Sequence, residues 1–320
     1  MSKTPSSTSP LPEPGSRFPD FAFKWVAAGA ATMIVILIVM VGWQLYMGSR
    51  LALSHFGFGF LWSSEWDPVQ DKYGALPFIF GTLVSSLLAL LIAVPLGLAT
   101  AIFLTELAPL RLRQPIVMAI EMLAAVPSVI FGLWGIFVLI PWLRDHLFVW
   151  LKRYFGFLPL FQGPIYGVSM LAAGIVIAIM ILPIITSISR EILRSVPNLQ
   201  REAAYALGAT RWEVLKIAVL SYARRGLFGA AVLGLGRALG ETMAVTMVIG
   251  NRPQISASLF APGYTLASVI ANEFTEATSD LYLSSLFELG LVLLGVAILV
   301  NAAAQLMLKS MTGSGPIKVN

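Results

Sequence analysis

The chain has 320 residues, of which 58% are hydrophobic and 12% charged, and its mean hydropathy is +0.84. Soluble domains carry about 25% charged residues, so this composition excludes an ordinary soluble protein. Because the sequence contains no cysteine, disulfides and thiolate metal sites are excluded as well. We therefore predict an all-α integral membrane protein with one multi-span domain. We attribute the net charge of +5 to the placement of Lys and Arg residues on the two sides of the membrane, and we expect no nucleic-acid partner.

Six segments are apolar enough to cross a bilayer as helices, which takes about 20 residues each. They cover residues 25–47, 76–104, 115–142, 167–188, 226–250 and 283–308. The first segment has 23 uncharged residues, which is too long for the core of a cleaved signal peptide, so we interpret it as a retained anchor. Three spans are interrupted by Pro95, Pro127 and Pro183, which are either packing kinks or moving gates.

The ends of the chain flank a six-span domain that covers residues 25–308. Residues 1–24 are rich in Pro, Ser and Thr, and we predict a disordered tail there. Of the Lys and Arg residues outside the spans, 14 lie on the side of this tail and 6 on the opposite side. Because cytoplasmic segments are enriched in Lys and Arg, the tail and the C-terminal end, residues 309–320, are both predicted to be cytoplasmic.

The largest cytoplasmic loop, residues 189–225, contains signals for two short helices. Pro197 can open the first helix, and Gly208 suits the left-handed residue that ends one. The loop is therefore predicted to form a bent, amphipathic element below the membrane. It is either a connector that lies on the lipid headgroups or a docking element.

The second of these helices is predicted over residues 211–220. Thr210 and Glu213 have the spacing of a capping box, in which each residue satisfies a backbone N–H of the other. Three apolar residues then fall on one face of the helix, namely Trp212, Leu215 and Val219.

Arg237 and Glu241 lie four residues apart in the fifth span, among small and apolar residues. A charge at mid-bilayer costs about 2.5–3.5 kcal/mol on insertion scales, so such residues normally face a bundle interior or a water-filled path. At helical spacing the two side chains share one face. The pair indicates either the passage of a charged substrate or a structural ion pair. Four glycines lie nearby and would also permit close helix packing, namely Gly229, Gly234, Gly236 and Gly240.

Two further carboxylates lie nearer the ends of their spans. We interpret Glu121 and Glu288 as near-interface partners of basic residues, which for Glu121 are Arg111, Arg113 or a basic residue of a loop. No metal site and no catalytic residue is predicted. The chain also lacks the G-x-x-x-x-G-K-[ST] loop that binds nucleotide phosphates, so we expect it to hold no cofactor and to hydrolyse no ATP by itself.

The sequence Glu202-Ala203-Ala204, followed after three residues by Gly208, resembles the EAA loop of ABC-importer permeases. In that family the loop is the coupling helix that docks on an ATPase subunit. The usual continuation places Ile and Pro where this chain has Ala218 and Ser221, so the match is partial there. The residues that we assign to the coupling loop are Glu202, Ala203, Ala204, Gly208, Thr210 and Glu213.

The stretch of residues 234–245, which contains Arg237 and Glu241, closely resembles the phosphate-specific (Pst) subfamily of these permeases. Other matching segments are residues 73–76, 81–84, 103–109, 121–128 and 271–274. The long tail and the region around residues 62–66 make the chain most similar to the PstC-type subunit. The resemblance implies an ABC type I importer permease with six membrane helices, located in the bacterial inner membrane.

The resemblance also implies a function and a set of partners. The expected function is that of a permease subunit in ATP-driven phosphate import. The expected partners are a second permease subunit of PstA type, a dimer of PstB-type ATPase subunits that use ATP, a periplasmic phosphate-binding protein of PstS type, and membrane lipid.

In this interpretation Arg237 is a transient phosphate ligand, because a guanidinium offers a planar fork that fits phosphate oxygens. Glu241 either positions Arg237 or accepts the proton that phosphate carries. The alternatives are an ion-coupled secondary anion transporter and a non-transporting membrane sensor or scaffold.

Overall fold

The computed structural model describes residues 17–310, apart from the side chains of residues 17–20 and 22. The first seven helices are α1 (Arg17–Phe56), α2 (Gly59–Trp62), α3 (Leu76–Ile102), α4 (Leu110–Ala125), α5 (Ser128–Trp134), α6 (Ile140–Trp142) and α7 (Val149–Phe155). The next seven are α8 (Met170–Arg194), α9 (Asn198–Ala206), α10 (Arg211–Val214), α11 (Ser221–Leu239), α12 (Met243–Val248), α13 (Leu266–Glu273) and α14 (Asp280–Ser310). Wider π-helical turns extend or join several of them, at Phe103–Leu107, Gly135–Leu139, Leu143–Phe148 and Leu215–Leu220.

Six helical stretches in the described residues are long and apolar enough to cross a membrane. They are Phe23–Phe56, Leu76–Leu107, Ser128–Phe155, Met170–Arg194, Arg211–Leu239 and Asp280–Ser310. The prediction of six membrane helices is therefore confirmed. The chain divides into two units, Met1–Met47 and Gly48–Asn320. In the described part of the first, most of the large apolar side chains of α1 are exposed, as suits a helix that faces lipid.

The core of the second unit lies between α3 and α8, the most deeply buried membrane helix. These helices approach closely because small residues line their contact, which is the usual basis of helix packing in membranes. A Cβ added at Gly97 would lie 2.9 Å from Cγ2 of Ile185, and one added at Gly174 would lie 2.8 Å from Cβ of Leu88. The glycines therefore set the spacing of the central helix pair.

The two ends of this bundle differ in character. At the loop end, α3 and α8 finish beside residues 195–210. At the cap end, where α3 and α8 begin, Glu273 accepts hydrogen bonds from Trp66 Nε1 (2.8 Å) and from the Tyr282 hydroxyl (2.6 Å). The surrounding aromatic rings are buried together, so the connections at this end form a compact cap.

Burial changes the acidity of two tyrosines in this cap. It raises the pKa of the Tyr73 hydroxyl to about 12, with the nearby Asp71 carboxylate acting in the same direction. Burial also raises the pKa of the Tyr264 hydroxyl, and the negative charge of Glu273 adds to the effect. Both phenols therefore stay neutral at physiological pH, because the charged form is disfavoured by desolvation and by neighbouring carboxylates.

The third span differs from its predicted bounds of 115–142. The chain is extended at Val126 and Pro127, so α4 is a separate helix and the membrane stretch runs over Ser128–Phe155. The reason is the proline, which disfavours helical geometry in the residue before it. Pro127 therefore separates two helices here, whereas Pro95 and Pro183 lie inside continuous helices.

Two other boundaries also differ from prediction. Residues 17–24, assigned above to the disordered tail, belong to α1, while residues 1–16 and 311–320 lie outside the described residues. The second helix predicted in the loop of residues 189–225 is not an isolated one. It continues through a π-helical turn into α11, so one helix runs over Arg211–Leu239.

Of the two outlying carboxylates, Glu121 has a basic loop residue of the predicted kind beside it, Arg190, whereas Glu288 has no basic partner in the described residues. Glu121 lies 3.8 Å from the guanidinium of Arg190, whereas Arg113 donates to the carbonyl oxygens of Thr105 and Ala108. Glu288 is only 3% exposed, and within the described residues its Oε2 has no hydrogen-bond partner. The interpretation of Glu288 as the partner of a basic residue is therefore wrong.

Glu288 also borders an apolar cavity of about 460 Å³. Replacing this residue tests the packing of α14. An unsatisfied buried acceptor costs about 1–3 kcal/mol, so Glu288→Leu should raise the melting temperature of the detergent-purified protein. Glu288→Gln keeps a buried polar group and should leave the melting temperature near that of the wild type. A lower melting temperature for Glu288→Leu than for Glu288→Gln would show that the carboxyl group is satisfied after all.

Candidate functional site

The predicted substrate residues lie where the fifth membrane helix breaks. Helix α11 ends at Leu239, and α12 begins only at Met243. Gly240 has a poor helix propensity, and the Thr242 hydroxyl donates to the carbonyl oxygen of Gly240 at 3.2 Å. Such local bonds compete with the helical ladder. The prediction of one continuous helix over residues 226–250 is therefore wrong.

The break places Arg237 and Glu241 in different environments. Arg237 is exposed in the last turn of α11, whereas Glu241 is 8% exposed and lies in the non-helical segment. In the described part of the chain, neither side chain forms an ion pair or hydrogen bond. The two residues therefore do not share a helical face, and the structure removes the basis for a structural ion pair within this chain.

Arg237 belongs to an uncovered face of α11. Leu233, Gly236 and Gly240 are exposed on the same face, at the spacing of successive helical turns. A Cβ added at Gly236 would meet no atom within 4 Å, whereas one at Gly234 would lie 2.8 Å from Ile185. Gly234 therefore serves packing within the chain, and the Arg237 face is left open.

A second broken helix packs directly against this region. Helix α5 starts just after the break at Pro127, and α12 starts just after the break at Glu241. The two short helices meet at Gly132, where an added Cβ would lie 3.1 Å from Cα of Ala244. Non-helical backbone at membrane depth is tolerated only when it is buried in protein or lines a water-filled cavity. Pro127 and Gly240 are both exposed, so the packing of α5 on α12 covers the two breaks only in part.

The second candidate site is the loop end, where Gly208 terminates α9. Gly208 has a φ of +83°, and its N–H donates to the carbonyl oxygen of Tyr205 (2.9 Å). The N–H of Ala209 donates to the carbonyl oxygen of Ala204 (3.2 Å). This pair of bonds is a Schellman motif, which satisfies the last carbonyls of a helix. The predicted left-handed stop at Gly208 is confirmed.

The capping box that follows is also confirmed. The N–H of Thr210 donates to Oε2 of Glu213 (2.7 Å), and the N–H of Glu213 donates to the hydroxyl oxygen of Thr210 (3.4 Å). The two bonds satisfy backbone donors that a helix N-terminus leaves free. The bend between α9 and the helix starting at Arg211 is thus specified on both sides of Gly208.

The surface of this bend is unusually apolar. Leu199 is 78% exposed, Leu207 90% and Trp212 69%, while Glu202 and Ala203 are exposed beside them. Clustered exposed apolar residues mark interaction surfaces. Trp212 differs in burial from the two other apolar residues predicted for the same face of its helix. Those two, Leu215 and Val219, are buried in the cluster beneath the loop.

Sequence reasoning missed Arg201, the residue just before Glu202. Its side chain is only 18% exposed, and its guanidinium lies 3.0 Å from Oε1 of Glu106. These two residues are separated by 95 positions in the chain. The Arg201–Glu106 contact therefore depends on how α3 and α9 are brought together, and no local sequence pattern predicts it.

The described residues contain no group of three or more His, Asp or Glu side chains placed to hold a metal ion. What the arrangement offers instead is an exposed guanidinium at a helix break and a protruding apolar bend at one end of the bundle. The first suits contact with an anion, and the second suits contact with another protein.

Comparison with known proteins agrees with these features. Residues 93–313 match the family described as "Binding-protein-dependent transport system inner membrane component". A protein of Mesorhizobium japonicum named "Phosphate transport system permease protein PstC" is 50% identical over 90% of both chains. A Xylella fastidiosa protein of the same name is 49% identical, and the "Probable phosphate transport system permease protein PstC" of Methanocaldococcus jannaschii is 38% identical over 87% of this chain and 90% of its own.

A chain in the crystal structure of a bacterial alginate ABC transporter superposes with a TM-score of 0.62, at 16% identity, over 94% of this chain and 100% of its own. This likeness shows that the fold is that of ABC type I importer permeases. Together with the match over residues 93–313, it leads to one conclusion. The chain belongs to the family of inner membrane components of binding-protein-dependent transport systems.

Proposed function

We propose that this chain is the transmembrane permease subunit of an ATP-driven phosphate import system and forms half of its translocation pathway. The observation that carries the proposal is Arg237, a cation on an uncovered face of a membrane helix, two residues before that helix ends. Phosphate as the substrate is supported by relatives of 50% and 49% identity that are named phosphate transport permeases.

The uncovered face explains why the chain forms only half of a pathway. An arginine that faces lipid at mid-bilayer costs about 2.5–3.5 kcal/mol on insertion scales. The face around Arg237 therefore needs a protein surface or a water-filled passage against it. The exposed Gly236 and Gly240 allow another backbone to approach closely. A second permease subunit of PstA type, paired with this chain as a heterodimer, satisfies both requirements.

Arg237 then acts as a transient binding site for the anion between the two subunits. Its guanidinium can donate two parallel hydrogen bonds to phosphate oxygens, and Glu241 does not compete for it, because it forms no ion pair with Arg237 in the described residues. Because Glu241 does not pair with Arg237, we assign it the other role, that of accepting the proton that phosphate carries. Arg237 and Glu241 both stay in the proposed substrate path.

The bend at Gly208 couples the pathway to ATP hydrolysis by a partner subunit. Its exposed apolar residues Leu199, Leu207 and Trp212 fit a cleft on another protein. We assign that protein as one subunit of a PstB-type ATPase dimer, which binds and hydrolyses ATP in the cytoplasm. A periplasmic phosphate-binding protein of PstS type delivers the substrate from the opposite side of the bacterial inner membrane. Both termini of this chain are then cytoplasmic.

The substrate role of Arg237 predicts a graded loss of uptake. Arg237→Gln should abolish ATP-dependent uptake of labelled phosphate in cells that lack other phosphate transporters, because the cation is missing. Arg237→Lys should retain part of the uptake, because an ammonium keeps the charge but loses the two-pronged geometry. Arg224→Gln, an exposed arginine of the same helix, is the matched control and should transport normally.

A double variant at Arg237 and Glu241 tests whether the two residues act as a structural pair. Since the structure shows no Arg237–Glu241 pair, the double variant Arg237→Gln/Glu241→Gln should stay inactive. Recovery of uptake in the double variant would mean that neutralising Glu241 compensates for the lost cation, as in a structural pair, and would refute the ligand role of Arg237.

The docking role of the bend predicts that its backbone geometry matters. At a φ of +83°, a β-branched residue is strained by about 1–2 kcal/mol. An added Cβ would meet no atom within 4 Å, so the strain is the only expected effect. Gly208→Val should therefore reduce co-purification of the ATPase subunit, whereas Gly208→Asn, which tolerates this conformation, should retain it. Equal retention by both variants would contradict the docking assignment.

The orientation of the chain can be tested by labelling, because its sequence contains no cysteine. Single cysteines at Ser64 and Ala257, both exposed at the cap end, should react with a membrane-impermeant maleimide added to spheroplasts. A cysteine at Gln200 in α9 should react only after the membrane is permeabilised. The reverse pattern would place the loop end outside the cell and exclude contact with a cytoplasmic ATPase.

A further inference from the structure

Arg201 joins the protruding bend to the rest of the bundle. One nitrogen of its guanidinium, Nη1, donates to the carbonyl oxygen of Val196 (2.7 Å) and to Oδ1 of Asn198 (3.3 Å). The other, Nη2, donates to the carbonyl oxygen of Leu193 (3.0 Å) and to Oε1 of Glu106 (3.0 Å). The Arg201 side chain thus forms hydrogen bonds with four different groups.

The two contacts of Nη2, with Leu193 and Glu106, lie at the ends of two membrane helices. Leu193 is in the last turn of α8, whose final carbonyls have no partner within the helix and carry the negative end of its dipole. Glu106 lies in the π-helical turn that ends the α3 span. The guanidinium of Arg201 therefore sits between one helix terminus and one carboxylate, both of which attract a cation.

Burial makes this contact firmer than an ordinary surface ion pair. The Arg201 and Glu106 side chains are 18% and 26% exposed, whereas the Lys72–Glu65 pair at the cap end is more than half exposed on both sides. Exposed pairs are screened by water and lose much of their strength. The hydrogen bonds of Arg201 are charge-assisted and partly shielded, so they hold a defined geometry.

The turn that carries Glu106 is itself anchored. Arg113 of α4 donates to the carbonyl oxygens of Thr105 (3.1 Å) and Ala108 (3.4 Å), which flank Glu106 in sequence. In the described residues, Arg201 supplies the side-chain hydrogen bonds that link α9 to other helices, to Leu193 of α8 and to Glu106 at the end of the α3 span. A displacement of α9 therefore reaches α3 and α8 through this side chain.

We propose that Arg201 is a positioning residue for the transport reaction, acting as a strut that passes movement of the docking bend to the end of the α3 span through Glu106 and to the end of α8 through the carbonyl group of Leu193. This inference rests on the proposed function, in which an ATPase subunit moves the bend. The choice of helices is significant, because α3 and α8 form the central pair of the bundle. Moving their ends moves the core rather than a peripheral helix.

The test measures how many ATP molecules are hydrolysed for each phosphate imported. The complete transporter, with its ATPase and binding protein, is reconstituted in proteoliposomes, and ATP hydrolysis and phosphate uptake are measured together. Arg201→Gln and Glu106→Gln should each raise the ratio of ATP to phosphate at least threefold, while the subunits still co-purify. Arg201→Lys should give an intermediate ratio, because one donor can still reach Glu106. Arg194→Gln, an exposed arginine at the same end of α8, is the control and should keep the wild-type ratio.

The double variant separates a strut from a simple helix cap. If the two residues act through their contact, Arg201→Gln/Glu106→Gln should have the same ratio as Arg201→Gln alone, because the contact is already lost. If Arg201 only caps α8, Glu106→Gln should keep the wild-type ratio, and the proposal would be overturned. Should Arg201→Gln fail to assemble, Glu106→Gln still decides, since it leaves the bonds to Leu193 and Val196 in place.

Failure of the strut and failure of the proposed function give different results. A wild-type protein that shows no ATP-dependent phosphate uptake would refute the function itself. A wild-type protein that transports, together with single variants of unchanged ratio, would refute only the role of Arg201.

Discussion

A lipid bilayer offers no hydrogen bonds, so every backbone N–H and C=O within it needs a partner in the protein. This constraint explains why the described part of the chain is built from long helices, and it also explains where they break. The breaks at Pro127 and at Gly240–Thr242 expose backbone groups, and each is followed by a short helix, α5 or α12. These two helices pack on one another through Gly132 and Ala244. The irregular backbone is therefore gathered in one region, beside Arg237 and Glu241, where Pro127 and Gly240 stay exposed.

The sequence predicts the features that depend on local chemistry. The length and hydropathy of the spans indicate six membrane helices, because crossing the bilayer requires them. Gly208 and the Thr210–Glu213 pair also predict their structures correctly, since a left-handed residue and a capping box are set by a few neighbouring residues. Along the loop, therefore, local signals and final structure agree.

Features that depend on competition between local and distant interactions could not be predicted. Pro127 fits a kink as well as a full stop, and only the packing of α5 distinguishes the two outcomes. The break after Leu239 follows from a glycine and a threonine that many helices tolerate, so the separation of Arg237 from Glu241 has no clear signal. The partners of Arg201 and Glu121 lie in other helices, and the lone Glu288 in its apolar surroundings has none among the described residues. Each depends on tertiary placement.

The helix over Arg211–Leu239 gives the two candidate sites a simple mechanical relationship. It begins at the docking bend and carries Arg237 near its far end, about 39 Å away at 1.5 Å rise per residue. Such a helix behaves as a lever. If its docking end is held while the helix tilts by about 5°, the guanidinium moves by about 3 Å, which is enough to break a hydrogen bond to a bound anion. Under the proposed substrate role of Arg237, binding and release of the anion are therefore controlled by a small change in the angle of one helix.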